Sequence, residues 1–425
     1  MSKEKWKITE HIVRAAHLRG FIRSAVVETS EKAVRIAVKQ YTPLSNPSPS
    51  KGDVTLVMSG GIGVNKEAFE PFFDALLNAA EKTQSFKIRS VWCADPWNTG
   101  ASYLLNEDLI GDEPHWLDHS RDLYHFINTF QDQMPPPIIG MGESWGVGHM
   151  VMISTWHPRL FSGILALEPA LGPGHPLRTN GTKTQIRNWP SAPKHYPAAL
   201  VSRRKDRWKN MEEAVAHLSK SPFYADMDKR ARDKAIQYDL RQMNDESGSY
   251  VTLATPKRVE AQYWGRPDPP FEGIPPYPPY EAPINESRVV KGFYRPEGVI
   301  FNEAVHHVPC PTLLVWGGKS FISRISDFKE SYARRWGSAT MGGGGLEAGQ
   351  VSQAFVEKAG HAISLHKPDE TAEVSVSWIG ETAKKWMEDC DLRRTAVPFE
   401  KKLSEEWMGR VNELSKLSLP KTSKI

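Results

Sequence analysis

Short apolar runs alternate with helix-spaced apolar positions through most of the chain. The run at residues 53–59 is followed by a helical pattern over residues 66–81, in which Phe69, Phe72 and Leu76 fall on one side. This alternation is typical of a mostly parallel sheet that is covered by helices on both faces. The sequence therefore predicts an α/β fold.

The same patterns give the boundaries of the predicted elements. Strands are expected at residues 20–28, 33–41, 53–59, 86–94, 161–169, 311–318 and 353–358, and helices at residues 66–81, 119–130, 210–218, 226–243, 368–388 and 400–417. The first two strands flank a short polar turn, so they are predicted to form a hairpin.

The strand–helix alternation stops after residue 170 and resumes near residue 309. The intervening stretch contains a basic run at residues 203–207 and a proline-rich stretch at residues 268–284. We interpret residues 171–308 as a cap inserted over the sheet. Residues 1–170 and 309–425 then form the two parts of the core, and the second part ends in a charged tail.

Composition narrows the function classes. An apolar share of 40% and a charged share of 24% fit a soluble globular protein with an ample core. The net charge of +4 is spread over 54 basic and 50 acidic residues, without a basic block interleaved with aromatics, so no nucleic-acid partner is predicted. Three cysteines without a CxxC pair predict neither a disulfide framework nor a metal site. No cofactor is implied.

The two termini bear on localisation. The first residues lack the apolar core of a signal peptide, and no apolar run is long enough to predict a membrane span. The last three residues, Ser423, Lys424 and Ile425, differ by one conservative change from the Ser-Lys-Leu peroxisomal address. The sequence therefore predicts import into the peroxisome by the receptor that reads this address.

The pentapeptide at residues 142–146, Gly-Glu-Ser-Trp-Gly, carries the chemical prediction. It matches G-x-S-x-G and lies between a predicted strand and a predicted helix, which is the setting of a serine nucleophile on a sharp turn. Small neighbours at Gly142 and Gly146 allow the chain to turn tightly. Ser144 is therefore the predicted nucleophile; the structural alternative is a glycine-rich turn with an incidental serine.

A serine hydroxyl needs a base, and the base needs a group that holds its tautomer. His361 is the predicted base, because it follows a strand and a glycine and precedes a helix. The usual position for the acid, after the strand that ends at Gly318, contains no carboxylate. Glu168 ends the preceding strand of the core and is the predicted acid, while Asp327 and the absence of any acid stay open as alternatives.

The oxyanion hole requires two backbone N–H groups that point at the developing charge. Trp145 supplies one by its position after the nucleophile. The other is expected from the glycine-rich loop after the strand at residues 53–59, where Gly63 and its neighbours let the backbone approach a substrate closely. Val64 is the preferred donor, with Gly61 and Ile62 as rivals.

These residues resemble fungal α/β-hydrolases of secondary metabolism, a group that includes hydrolases of host-selective-toxin and mycophenolic acid biosynthesis. The likeness runs through nearly the whole core and is weaker in the cap. The matching stretches are residues 63–67 with 69–71, Asp95 with residues 100–102 and 105–107, residues 116–123, residues 142–146, and residues 360–361 with 367–371.

The resemblance implies an α/β-hydrolase fold with Ser144 as nucleophile, Glu168 as acid, His361 as base, and Val64 and Trp145 as oxyanion donors. It also implies a homodimer and strengthens the peroxisomal interpretation. Two positions depart from the group's pattern. Gly60 stands where the group has a histidine, and Glu168 stands where close relatives have an aspartate.

The first functional hypothesis is the hydrolysis of an acyl-CoA thioester in the peroxisome. Gly63 is expected at the substrate, and Arg203 and Arg204 are candidates for contact with the CoA phosphates, although such a basic run is more often a solvated face. A carboxylic-ester hydrolase or lipase with the same residues is the second hypothesis. The third is a protein of hydrolase fold that only binds, or a pathway scaffold.

Overall fold

The computed structural model of the protein describes residues 2–26, 33–171, 178–179, 182–183, 197–267, 293–295, 297–324, 327–396, 405–414 and 416. The strands are β1 (Trp6–Arg14), β2 (Arg35–Pro43), β3 (Val54–Ser59), β4 (Ile88–Ala94), β5 (Ile138–Glu143), β6 (Gly163–Leu167), β7 (Arg207–Trp208), β8 (Leu240–Asp245), β9 (Gly248–Leu253), β10 (Thr312–Gly317) and β11 (Val351–Val356), besides the two-residue pairs Arg178–Thr179 with Thr182–Lys183 and Arg266–Pro267 with Phe293–Tyr294.

The α-helices are α1 (Ser2–Lys5), α2 (Glu70–Thr83), α3 (Gly100–Asn106), α4 (Trp116–Thr129), α5 (Gly146–Trp156), α6 (Pro197–Arg203), α7 (Met211–Leu218), α8 (Pro222–Ala225), α9 (Lys229–Asp239), α10 (Lys257–Trp264), α11 (Glu297–Ala304), α12 (Phe328–Arg335), α13 (Ile363–His366), α14 (Pro368–Ala396) and α15 (Glu405–Leu414). Short 3-10 turns occur at Lys66–Phe69, Gln131–Gln133, Val305–His307 and Ile322–Arg324.

Eight strands form the central sheet, in the order β1-β2-β4-β3-β5-β6-β10-β11. β1, β2 and β4 pair antiparallel, and every pair from β4 to β11 is parallel. The mostly parallel sheet that the sequence predicts is therefore confirmed. Because parallel strands end at one edge of a sheet, the loops after β3, β5, β6, β10 and β11 all lie at that edge.

Two apolar clusters cover the two faces of this sheet. Along β6, Leu165 and Leu167 belong to one cluster, whereas Ile164 and Ala166 belong to the other. Helix α2 packs into the first cluster and helices α4 and α5 into the second. All five residues of β6 are buried, as expected of a central parallel strand between two helical layers.

The prediction for the N-terminal hairpin is wrong in one of its two strands. β2 pairs with β1, and residues 20–26 form turns with a single bridge from Ala25 to Ile110. The error arises because the alternation over residues 6–14 is weak, so no strand was predicted there. Burial does not separate the two segments, since Phe21 and Ala25 are as buried as Trp6 and Val13; the pairing partner of β2 is decided by the tertiary structure.

In the described residues, the segment between β6 and β10 contains a small antiparallel sheet, in the order β8-β9-β7, and six short helices from α6 to α11. The helix predicted over residues 226–243 is wrong at its end, because α9 stops at Asp239 and β8 begins at Leu240. A hairpin with β9 satisfies the backbone of these residues. Residues 268–284, the predicted proline-rich stretch, lie outside the described residues.

Residues 1–383 form one compact unit, and residues 384–425 form a second. The cap boundaries at residues 171 and 308 stay a prediction. Across the described parts of the chain, no helix combines the length and the apolar character that a membrane crossing requires. Residues 423–425, the predicted peroxisomal address, lie outside the described residues.

A matched pair of isoleucines tests the account of the core. Ile164 on β6 is fully buried, and Ile12 on β1 is 67% exposed. Because a buried truncation leaves a cavity, Ile164→Ala is expected to lower the free energy of unfolding by about 2–5 kcal/mol. Ile12→Ala is expected to cost less than about 1 kcal/mol, which is the span of strand propensity. Urea denaturation measures both, and equal losses would contradict the placement of β6 at the centre.

Candidate active site

Ser144 occupies a sharp turn between β5 and α5. Its φ of 56° lies in the left-handed region, which is strained for a residue with a side chain. The chain tolerates the turn because the residues two positions before and two positions after Ser144 are glycines. A methyl group on Gly142 would lie 2.5 Å from Val147 Cα, and one on Gly146 would lie 2.1 Å from the Ser59 carbonyl oxygen. These contacts explain the G-x-S-x-G spacing sterically.

Ser144, His361 and Glu168 form one continuous chain of hydrogen bonds. His361 Nε2 lies 2.8 Å from Ser144 Oγ, and His361 Nδ1 lies 3.1 Å from Glu168 Oε2. The three residues come from the ends of β5, β6 and β11, which the parallel sheet brings to one edge. The Glu168 side chain is fully buried, whereas the His361 side chain is 28% exposed. The arrangement can remove a proton from the serine hydroxyl and stabilise the resulting imidazolium.

Three donors surround the Glu168 carboxylate. The Gly317 N–H donates to Oε1 at 2.5 Å, and the Ser320 hydroxyl donates to Oε2 at 2.7 Å, beside the His361 contact. Glu168 has a φ of 47°, which turns the chain directly after β6. Gly317 is the last residue of β10, and Ser320 belongs to the region after it, where the acid is usually found. Ser320, at the usual place of the acid, therefore binds a carboxylate that directly follows the neighbouring strand, β6.

The alternative acid, Asp327, lies elsewhere. It is exposed and precedes helix α12 as its N-cap residue, with a φ of 58°. The structure thus brings Glu168, rather than Asp327, to His361.

The glycine-rich loop after β3 (residues 60–65, the oxyanion loop) passes close to Ser144. A methyl group on Gly61 would lie 3.4 Å from Ser144 Cβ and 3.8 Å from its Oγ. The Val64 N–H donates to the Gly61 carbonyl at 3.3 Å, within a tight turn. Gly61 therefore lies beside Ser144, and the choice of Val64 over Gly61 and Ile62 stays a prediction.

A buried ionic cluster fixes the end of the oxyanion loop. Lys66 Nζ lies 2.7 Å from Asp95 and 2.9 Å from Glu67, and its backbone N–H donates to Asp95 at 2.9 Å. Lys39 reaches Glu67 at 3.0 Å from β2. Burial alone would lower the pKa of Lys66, but the two carboxylates outweigh it and raise that pKa. The oxyanion loop is thus tied to the end of β4.

Trp145, the residue after the nucleophile, packs into a buried aromatic group. Its ring stacks on His119 at a centroid distance of 5.6 Å and meets His149 edge-on at 4.0 Å. Trp116 and Tyr263 contact other edges of the indole. Burial lowers the pKa of His119 to about 4 and lowers that of His149 well below its usual value, so both imidazoles are neutral at pH 7.

The predicted substrate contacts lie on the other side of the oxyanion loop. Gly63 has a φ of 79° and faces Glu260, which forms an ion pair with Arg204 at 2.6 Å. Arg203 is exposed at the end of α6. The following basic residues also pair with carboxylates, Lys205 with Glu213, Arg207 with Asp245, and Lys257 with Asp206. The CoA-binding role of Arg203 and Arg204 stays a prediction.

A small polar pocket lies against this side of the loop. Its lining residues are Gly63, Val64, Asn65, Thr99, Gly100, Arg204, Tyr224, Asp239, Leu253, Thr255 and Glu260. Ser144 and His361 are not part of that lining. Asn65 donates to Asp239 at 2.9 Å, and the Tyr224 hydroxyl donates to the same carboxylate at 2.8 Å. These bonds join the oxyanion loop to helix α9 of the inserted segment.

Three polar residues at the site were missed by sequence reasoning. Ser320 binds Glu168, and Glu143 accepts two hydrogen bonds from Ser364, which follows His361 in the chain. Glu143 lies within the pentapeptide, at a position where the G-x-S-x-G motif allows any residue. The motif therefore gives no indication that Glu143 has a role. Within the described residues, no group of three or more His, Cys, Asp or Glu side chains is arranged to hold a metal ion.

A family model confirms the class of protein. The model for the alpha/beta hydrolase family matches residues 56–374, which run from within β3 to beyond β11. The chain therefore belongs to the alpha/beta hydrolase family, and it is a hydrolase. The α/β-hydrolase fold predicted from the sequence is confirmed.

Relatives fall within the group that the sequence resembles. The type I acyl-CoA thioesterase mpaH' of Penicillium brevicompactum is 30% identical over 421 residues, which cover 92% of this chain and 93% of that protein. The abhydrolase domain-containing protein ACTT2-1 of Alternaria alternata is 24% identical over 262 residues, covering 58% of this chain and 84% of its own.

A solved structure supports the same fold. The peroxisomal alpha-beta-hydrolase Lpx1 of Saccharomyces cerevisiae superposes with a TM-score of 0.65 at 15% sequence identity, and the match covers 97% of each chain. At that identity the likeness concerns the fold alone.

The buried imidazole of His119 predicts acid sensitivity. The pKa of His119 is about 4 in the folded protein and 6.5 when unperturbed. Between these two pH values the imidazole is therefore protonated in the unfolded chain and neutral in the folded protein. Stability from this residue is therefore present above pH 6.5 and is lost as the pH falls towards 4. The loss between neutral pH and pH 4 is expected to be on the order of 3 kcal/mol.

Urea denaturation at several pH values measures this loss. His119→Phe keeps an aromatic ring beside Trp145 and removes the titrating group, so its unfolding free energy should depend less steeply on pH. His17→Phe, at an exposed position, is the matched control and should keep the wild-type dependence. If the unfolding free energy of His119→Phe depends on pH as steeply as that of the wild type, His119 is not the source of the acid sensitivity.

Proposed function

We propose that this hydrolase cleaves an acyl-CoA thioester through a covalent acyl-enzyme on Ser144. The observation that carries the proposal is the hydrogen-bonded chain from Ser144 through His361 to Glu168. It supplies a nucleophile, a base and an orienting acid in the order and at the distances that acyl transfer needs. The thioester is favoured because the relative that matches over 92% of the chain is named an acyl-CoA thioesterase.

In the first half-reaction, Ser144 Oγ attacks the thioester carbonyl while His361 Nε2 takes the hydroxyl proton. The oxyanion of the tetrahedral intermediate accepts hydrogen bonds from the Trp145 N–H and from an N–H of the oxyanion loop. The carbon–sulfur bond then breaks, and His361 returns the proton to the CoA thiolate. CoA leaves as the thiol, and the acyl group remains on Ser144 as an ester.

In the second half-reaction, water attacks the acyl ester and His361 takes one of its protons. Collapse of the second intermediate releases the carboxylic acid, and His361 returns the proton to Ser144 Oγ. Glu168 orients the imidazole and stabilises its positive charge in both halves.

The leaving group is expected to lie near the basic run, where Arg204 lines the polar pocket. Arg203 and Arg204 are the proposed contacts for the CoA phosphates, and Gly63, within the oxyanion loop, is a proposed contact for the substrate. Arg204 would exchange Glu260 for a phosphate, which an arginine can do because both partners fit its planar fork.

We also propose that the protein acts in the peroxisome. Residues Ser423, Lys424 and Ile425 support this proposal, because they differ by one conservative change from the Ser-Lys-Leu address. The import receptor would read these residues. A homodimer stays an expectation from the resemblance.

The first test compares one acyl group in different bonds. Wild-type protein is assayed on decanoyl-CoA, methyl decanoate and nitrophenyl decanoate. Because CoA contributes binding energy that a methyl group cannot, kcat/KM for decanoyl-CoA is expected to exceed that for the methyl ester at least about tenfold. A methyl ester cleaved faster than the thioester would indicate a carboxylic-ester hydrolase instead.

Ser144→Ala completes this test. It is expected to lower kcat on every substrate by about 10⁴-fold or more, because the nucleophile and its base act as a unit. Retained turnover of decanoyl-CoA would contradict the mechanism. Retained binding of decanoyl-CoA without any turnover, in both wild type and variant, would indicate a binding protein of hydrolase fold.

The second test removes the carboxylate at position 168 and introduces one at position 320, after the neighbouring strand β10. Glu168→Ala is expected to lower kcat by about 10³- to 10⁴-fold, as the loss of an orienting acid does in other serine hydrolases. Because Ser320 Oγ lies 2.7 Å from Glu168 Oε2, a carboxylate at position 320 can approach the same imidazole. The double variant Glu168→Ala/Ser320→Asp is therefore expected to recover at least about tenfold over Glu168→Ala.

Asp327→Asn is the control for the second test. It removes the alternative acid and is expected to change kcat by less than about twofold, because exposed substitutions away from the site are usually neutral. A loss in Asp327→Asn as large as that in Glu168→Ala would overturn the assignment of the acid.

A further inference from the structure

The carboxylate of Glu143 joins the nucleophile turn to the loop that carries the base. Glu143 is the last residue of β5 and directly precedes Ser144; it is 2% exposed. Its Oε1 accepts the Ser364 N–H at 2.9 Å, and its Oε2 accepts the Ser364 hydroxyl at 3.0 Å. Ser364 lies three residues after His361, in helix α13.

Neither Ser364 contact neutralises a charge, because both donors are uncharged. Burial disfavours the ionised form of a carboxylate whose hydrogen-bond donors are all neutral. Burial accordingly raises the pKa of Glu143 to about 7, although the two bonds from Ser364 and the nearby His361 oppose the rise. Glu143 therefore changes charge within the range in which a hydrolase with a histidine base works.

The groups that face Glu143 are those of the site itself. His361 favours its ionised form, and Glu168, at the end of the adjacent β6, disfavours it. His366, at the end of α13, accepts a hydrogen bond from the Gly360 N–H at 3.0 Å, and burial lowers its pKa. The loop with His361 is thus anchored on one side by His366 and on the other by Glu143.

We propose that Glu143 is a positioning residue for His361, which holds the His361 loop against the nucleophile turn and, when ionised, favours the imidazolium. The inference rests on the proposed function, since it acts through the base. Two carboxylates would then act on His361. Glu168 bonds Nδ1 directly, whereas Glu143 acts through Ser364 and through space.

The sign of the effect follows from the charge. An ionised Glu143 makes His361 easier to protonate, so the base is lost at a higher pH than it would be beside a neutral residue. Removal of the charge should therefore move the acid limb of the pH profile to lower pH. Because the two groups interact, the wild-type limb reports the pair rather than either residue.

Glu143→Gln tests the proposal, because the amide keeps the size of the side chain and can bond both atoms of Ser364. In profiles of kcat/KM on decanoyl-CoA, the midpoint of the acid limb is expected to fall by about 0.5–1 pH unit. The plateau at high pH should stay within about threefold of wild type, since the loop keeps its anchor. Glu143→Ala should show the same shift and a lower plateau, because it loses the anchor as well.

Glu246→Gln, which removes an exposed carboxylate from the β8–β9 turn, is the control and should leave the limb in place. If the midpoint of the acid limb is the same in Glu143→Gln as in the wild type, the proposal is overturned and the contact between Glu143 and Ser364 is only structural. If Glu143→Gln does not fold, Ser364→Ala replaces it. Loss of one donor disfavours ionised Glu143, so a smaller shift in the same direction is expected, and no shift would overturn the proposal.

A readout without turnover separates this inference from the proposed function. In the Ser144→Ala background, NMR titration of the His361 imidazole, assigned by a His361→Gln variant, is expected to show the same downward shift when Glu143→Gln is added. An inactive Ser144→Ala with no such shift would leave the proposed function standing and reject the role of Glu143. An active Ser144→Ala would reject both.

Discussion

The tight turn at Ser144 is the constraint on which the rest of the site depends. A left-handed φ at a serine is strained, and the surroundings must hold it there. Gly142 and Gly146 allow neighbouring backbone to approach within distances that any side chain would forbid. The Ser144 N–H also donates to the Leu167 carbonyl at 2.8 Å, which fixes the turn to the end of β6. The hydroxyl therefore points away from the sheet, towards the loop that carries the base.

Buried carboxylates connect the loops around this turn. Glu168 links the end of β6 to the region after β10 through Gly317 and Ser320. Glu143 links the end of β5 to the loop after β11 through Ser364. Each carboxylate would be costly without its donors, so each loop is held where those donors are. The same bonds that satisfy the buried charges thus set the geometry of the nucleophile and its base.

The inserted segment contributes to this geometry from the other side. Asn65 in the oxyanion loop donates to Asp239 on α9, and Gly63 lies against Glu260 on α10. Apolar residues of the segment, such as Trp208, also belong to a core cluster of the sheet. The segment is therefore packed with the core in this conformation, and its polar contacts hold the loop that faces Ser144.

Much of the fold was accessible from the sequence because its signals are local. Buried parallel strands are continuous apolar runs, so β3, β5, β6 and β10 were recognisable by composition alone. The first hairpin and the end of α9 were not. Both β1 and the residues from Leu240 have weak alternation, and their strands exist because partners elsewhere satisfy their backbones.

The sequence by itself identified the candidate nucleophile and the candidate base, since a steric motif and a strand-end histidine are properties of a few neighbouring residues. For the acid it offered Glu168 and Asp327, which are 159 residues apart along the chain by their numbers. Only the tertiary structure separated them, because β6 and β10 are neighbours in the sheet and Ser320 and Gly317 turn their donors towards Glu168. The partners of Glu143 were decided in the same way, since a hydrogen bond between residues 143 and 364 depends on where two strands end, which no local pattern records.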